Sequence, residues 1–197
     1  MTQETEKWDF TELGDVQVVG RYALAPDEGD RGTSGVLFGI KLPTGLHSIE
    51  NDAAEAAERG LQPGTGTTDS ILGAFHRWSR DEDDVFVQLR WQHALSQRAG
   101  FAPGDRIGID LGYRHSLSRR LALLAQVNAV HRGRDSGDEA EPEESGGDAL
   151  YFAPGVSYEI SRGARVYGLL QLPLWQRVNG LQLTSDIGIT VGVTTRF

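Results

Sequence analysis

Hydrophobic and polar residues alternate one for one along most of this chain, most cleanly at its far end. From Ile187 to Phe197 the odd positions are Ile187, Ile189, Val191, Val193, Thr195 and Phe197, and the even ones are glycine, threonine and Arg196. A period of two is the signature of a strand with unlike faces. The pattern recurs over Asp105–His115, Val85–His93, Leu121–Ala129, Leu150–Ile160 and Val166–Leu174. Towards the N-terminus it recurs around Val16–Tyr22 and Val36–Leu42. Ser70–Ser79 also reads as a strand, with its facing left open between Phe75 and Trp78. These segments predict nine strands. Only Asn51–Arg59 has the makings of a short helical turn, inside a loop.

A soluble sandwich alternates too, so the second face decides between architectures. The water-facing side of a sandwich carries many lysines and glutamates. Here that face carries Gly, Thr, Gln, Asn, Ser, Tyr and Arg with a few acids, as does the interior of a wide polar barrel. The alternating cores also suit tilted spans of about 9–11 residues through hydrocarbon. The predicted fold is all-β: a transmembrane antiparallel β-barrel of the bacterial outer membrane, occupying 13–197 behind a short disordered or partial segment at 1–12.

Connection lengths give a separate test. In such barrels short periplasmic turns alternate with longer external loops. Counting back from Phe197 puts 178–183, 131–148, 96–104 and 43–67 outside, and 161–163, 116–119, 80–83 and 26–32 on the periplasmic side. The two longest connections, 43–67 and 131–148, both fall outside. Nine is an odd count, whereas single-chain bacterial barrels have even counts, and an open edge in hydrocarbon leaves backbone groups unpaired. The sequence therefore predicts that N-terminal strands and a leader are missing from this chain, since Met1–Phe10 is short and polar and no signal peptide is visible.

Composition sharpens this picture. The 197 residues carry 19 Lys+Arg against 28 Asp+Glu, a formal charge of -9, and no cysteine. That balance excludes a nucleic-acid-binding surface, and the missing thiols exclude disulfides, zinc–thiolate sites and a cysteine nucleophile. The acidity is concentrated in the two long loops. Asp135, Asp138, Glu139, Glu141, Glu143, Glu144 and Asp148 crowd one of them, and Glu50, Asp52, Glu55 and Glu58 the other.

Several stretches resemble an outer-membrane barrel family, the one named for the MetA pathway of phenol degradation or simply "transporter". They are GVLFGIKLPTG at 35–45, LQPGTGTTDSILG at 61–73, FAPGDRIGIDLGYRH at 101–115, SGGDALYFAPGVSYEI at 145–160 and QLPLWQRVNGLQLTSDIGITVGVTTRF at 171–197. The resemblance implies passage of small, often hydrophobic or aromatic, molecules across the outer membrane, with outer-membrane lipid and the barrel assembly machinery as partners. Phe197 resembles the C-terminal aromatic signal read by that machinery.

Other motifs carry little chemistry. LQPGTGTTD lacks the lysine and the following helix of a phosphate-binding loop, and LPTG at 42–45 ends a strand. His47, His76, His93, His115 and His131 share no ligand spacing, and nothing in the spacing recommends Ser70, His76 and Asp110 as a catalytic set. The acidic loops read as solvated surface, with at most loose Ca²⁺ binding. No cofactor and no enzymatic activity are expected. Trp78, Trp91, Tyr22, Tyr113 and Tyr158 read as lipid-facing or interfacial aromatics, while parity places Trp175 on the inner face near the external end. The candidate lumen residues are Arg21, Lys41, Arg90, Arg106, Asp110, Arg114, Glu159, Arg165 and Arg177, read chiefly as a structural ion-pair network. The expected function is passive passage of small molecules. The alternatives are a structural or partner-binding barrel, an enzyme on a barrel scaffold, and a truncated, non-functional remnant.

Overall fold

The computed structural model describes residues 11–24, 32–50, 59, 62–182 and 184–195. Nine strands follow one another in a single antiparallel sheet whose spatial order is the chain order. They are β1 (Val16–Ala23), β2 (Gly32–Leu42), β3 (Asp69–Arg80), β4 (Asp83–Ala94), β5 (Arg106–Ser116), β6 (Leu121–Arg132), β7 (Gly147–Ser161), β8 (Ala164–Val178) and β9 (Gly188–Thr195). Every alternating segment has its described core in one of them, with Asp105 and Ile187 just outside β5 and β9. Several strands run past the end of the apolar alternation, β7 and β8 most of all, because backbone pairing continues into polar rows near the rims. The sheet curls into an open part of a barrel wall, and among the described residues β1 pairs only with β2 and β9 only with β8. Residues 1–10 and 196–197, most of 24–31 and most of the expected helical turn at 51–59 lie outside the described residues, as does the assembly signal placed at Phe197.

The connections divide by length. At one end, β3–β4, β5–β6 and β7–β8 are joined by the short turns 81–82, 117–120 and 162–163. At the other, 43–68, 95–105, 133–146 and 179–187 are all longer. Gly163 closes its turn at φ 91°, a left-handed conformation that a side chain would strain.

The two faces invert the usual distribution of a soluble protein. Ile189, Val191 and Val193 are 78%, 72% and 67% exposed, and Val18, Phe38, Leu72, Leu89, Ile109, Leu111, Val156 and Leu174 are exposed as well. Directly paired residues share a face, so the register joins these side chains into one continuous outer band. The described apolar residues that are buried are few, chiefly Leu37 and Ile71 inside the curl and Phe101 and Ala102 beneath the long connections. A band of this kind stays out of water only in hydrocarbon.

Aromatic belts bound that band. Near the long-connection end, Trp91 Nε1 donates to Asp105 Oδ2 at 2.9 Å, and His93, stacked on Trp91, places Nδ1 2.7 Å from Asp105 Oδ1. Near the short-turn end, Tyr113 donates to Asp83 Oδ1 at 2.6 Å, and His115 lies 2.8 Å from the same oxygen. From Asp105 to His115 the chain advances about 33 Å along the strand, or about 25 Å of height at a tilt of about 40°, which is the thickness of a membrane barrel's apolar band.

The register also settles two facing questions. Pairing of Phe38 with Leu72 and of Gly32 with Trp78 puts the even positions of β3 outside and Phe75 inside. In β8 the simple parity fails. Tyr151 pairs with Pro173 but Leu150 pairs with Trp175, so a β-bulge at Leu174 admits one extra residue and exchanges the faces beyond it. Trp175 and Arg177 therefore belong to the outer face, Arg177 opposite Asp148, and not to the lumen face where parity places them.

Candidate functional site

The inner, concave face gathers most of the polar side chains that the alternation hides from water. Its floor is shaped by small residues. A Cβ at Gly35 would sit 2.4 Å from the Phe75 ring, and one at Gly112 would sit 2.0 Å from Phe86. These glycines let both aromatic rings lie flat along the inner wall.

Lys41 anchors the most buried cluster. Its ammonium lies 3.1 Å from Asp15 and 3.0 Å from Asp69, and all three side chains are 7% exposed or less. It also donates to Thr65 and, at 3.3 Å, to Thr67. Asp69 accepts from Thr67 at 2.7 Å and from Gln92 at 2.6 Å. Asp15 accepts backbone N–H bonds from Gly45 and Thr65, both at 3.0 Å. Burial pushes the Asp15 carboxyl up, but those two N–H groups and the Lys41 ammonium outweigh it and hold it below its ordinary value. The cluster ties the 43–68 connection to β1, β2 and β3.

At mid-height a row of polar side chains crosses three strands. Gln88, Asp110 and Asn128 lie in register on β4, β5 and β6. Asp110 accepts from Gln88 at 3.0 Å and from Asn128 at 2.7 Å. Arg21 reaches over from β1, passing 5.5 Å from the Phe75 ring, and donates to Gln88 Oε1 at 2.6 Å. Nearer the short turns, Asp84 joins Arg77 at 2.8 Å and Arg114 at 3.1 Å, and accepts from Ser79 at 2.6 Å. Glu159 and Arg165 face each other at 3.9 Å.

The expected charge network is thus several separate clusters. Lys41, Arg114, Glu159 and Arg165 form ion pairs, Arg21 and Asp110 are held by amides, and Arg177 leaves the set. The side chains of Arg90 and Arg106 make no hydrogen bond or ion pair among the described residues. The sequence reading omitted Asp15, Asp69, Arg77, Asp84, Arg132 and Asp135. Asp69 and Asp84 sit at strand ends, where apolar alternation no longer marks a face. Asp135 lies in a long connection, 6% exposed, and takes two bonds from Arg132 at 3.0 and 2.9 Å and one from the Gly104 N–H at 2.8 Å.

The sequence-derived trio of Ser70, His76 and Asp110 is not brought together. Ser70 and His76 point outwards with the even positions of β3, whereas Asp110 points inwards. Among the described residues no three His, Asp or Glu side chains converge as metal ligands.

No protein-family model matches the chain, and no curated protein matches it. Solved structures do. OmpT of Vibrio cholerae, an outer membrane protein folded in vitro and solved in a trimer form, superposes with a TM-score of 0.54 at 11% identity, over 91% of this chain and 56% of that one. Its loop L8 deletion mutant superposes with a TM-score of 0.50 at 13% identity, over 91% of this chain and 62% of that one. The fold is that of an outer-membrane β-barrel wall, and the chain spans about three-fifths of the length of these structures.

Proposed function

We propose that this chain forms the wall of a bacterial outer-membrane channel through which small molecules diffuse, without cofactor or catalysis. The observation that carries the reading is the inversion of faces: an apolar outer band between two aromatic belts, backed by a concave face of charged and amide side chains. A polar inner surface of this kind lines an aqueous path and has no use against lipid. The long connections gather at one rim. Outer-membrane lipid and the barrel assembly machinery are the partners this placement requires. The resemblance of several sequence stretches to the phenol-degradation transporter family, which no family model bears out, is the ground for naming small aromatic molecules as the solute.

Purified full chain, folded into liposomes, tests this by solute-dependent swelling and by single-channel conductance in planar bilayers. Stepwise conductance is the expected result; folded protein with no conductance overturns the reading. In that event the partner-binding alternative stands. It is favoured by the way the connections bind one another, with Ala102 bridged to Ser136 and Asn179 donating to the Ser145 carbonyl at 2.9 Å.

A further inference from the structure

Three arginines meet on the inner face of β4, β5 and β6 near the long-connection rim. The register sets Arg106 directly opposite Arg132 and next to Gln92, with Arg90 two residues further down β4, opposite Gly108. Like charges placed directly across a strand pair repel, so the arrangement needs an anion. Arg132 has one, because Asp135 takes both of its bonds. Arg106 feels Arg90 and Arg132 as its charged neighbours, with Asp110 and Tyr151 the groups that oppose them. Asp110 spends its oxygens on Gln88 and Asn128. Asp110 is already linked through Gln88 to Arg21, so the two free guanidiniums of Arg90 and Arg106 are left as excess positive charge.

The space beside them is open. A Cβ at Gly108 would meet nothing within 4 Å, so the wall between Arg90 and Arg106 is bare backbone. A cavity of about 280 Å³ lies on the other side of Arg106, lined in part by Arg106, Arg132, Asp148, Tyr151 and Gln176, and extends towards the 179–187 connection, with Arg90 outside its lining. Gln176 is held by its bond to the Ser185 carbonyl at 2.9 Å, and this fixes the far side. A repulsive pair kept on a wall where Lys41, Arg77, Arg114 and Arg165 all meet carboxylates marks a functional position.

We propose that Arg90 and Arg106 form a binding site for small organic carboxylates, with the Tyr151 ring flanking the organic part of the ligand. Guanidinium and carboxylate match as planar, two-point partners, and the Tyr151 ring beside Arg106 in the cavity suits an organic anion. As a station along a solute path the site rests on the channel reading; as a binding site it stands apart from it.

The test uses the full chain folded in detergent and ¹⁹F NMR of 4-fluorobenzoate, with neutral 4-fluorobenzyl alcohol and inorganic phosphate as comparisons. Fluorobenzoate is expected to broaden and the alcohol not to, with benzoate displacing the signal and phosphate failing to displace it. Arg106→Gln and Arg90→Gln are each expected to weaken binding about tenfold, about 1.4 kcal/mol, while Arg106→Lys retains part of it. Arg177→Gln removes the same charge from the outer face and is expected to change nothing. Equal binding of the alcohol, displacement by phosphate, or undiminished binding in folded Arg90→Gln and Arg106→Gln overturns the proposal. Conductance on the same preparations separates the two readings. Binding without conductance overturns the channel and leaves the site, and conductance without binding does the reverse.

Discussion

Arg21 on β1 donates to Gln88 on β4 at 2.6 Å, although two strands lie between them. In a flat sheet those strands would stand about 14 Å apart, beyond the reach of the side chains, so the bond exists only because the wall curls. Its guanidinium also lies over the Phe75 ring. Arg21→Ala is expected to destabilise the folded protein by about 1 kcal/mol, the net worth of one such bond. Unfolding in urea, followed by heat-modifiable migration, measures it, and a double-mutant cycle with Gln88→Ala should show the two losses to be shared.

Lys41 holds two buried carboxylates at once, and removing it leaves both without a counter-charge. Lys41→Met is expected to cost about 3–5 kcal/mol. Adding Asp15→Asn and Asp69→Asn to that variant should recover a large part of the loss, because the buried charges are then gone. A triple variant no more stable than the single one in the same unfolding assay would count against this account.

Acid should release the same latch. The folded-state pKa of Asp15 is lowered, so its contribution is complete above the ordinary carboxylate value of 3.8 and is lost as pH falls through the folded value. The wild type is therefore expected to lose stability below about pH 4 more steeply than Asp15→Asn, whose side chain has no proton to gain. Parallel slopes for the two proteins between pH 5 and 3 would refute the assignment.

The face assignment makes a sharper contrast. Leu111 is exposed at mid-height on the outer band, and Gln126 faces inwards on the neighbouring strand. Leu111→Arg is expected to destabilise the protein in lipid by about 2–4 kcal/mol, the cost of a cation at the bilayer midplane. Gln126→Arg should stay within about 1 kcal/mol, as a surface change does. Reversal of that order would exchange the two faces.

Trp175 tests the β-bulge. Behind Leu174 the register turns it outwards, opposite Leu150. A variant keeping Trp175 as its only tryptophan is expected to lose fluorescence in brominated lipid, and to resist iodide in the aqueous phase. The opposite sensitivities would restore simple parity.

Strand number, chain order and nearly every facing were legible in the sequence, because a strand displays its two environments as period-two alternation and a barrel wall keeps those environments different along its whole length. The interior of the site was less legible. Asp69 and Asp84 sit in polar rows where both neighbours are polar, so parity had no contrast to read. Asp15 becomes a partner of Lys41 only through the fold of the 43–68 connection, and Asp135 reaches Arg132 from a loop with no period.

The sequence by itself therefore determined the class of the wall and which side faces hydrocarbon, since burial in lipid is a local property of each strand. Tertiary structure alone decided which charges meet. An extra residue at Leu174 sends Arg177 outwards, and the register of β5 on β6 brings Arg106 against Arg132. Register is a relation between strands far apart in the chain, and pairwise contact, not periodicity, fixes where each charge finds its partner.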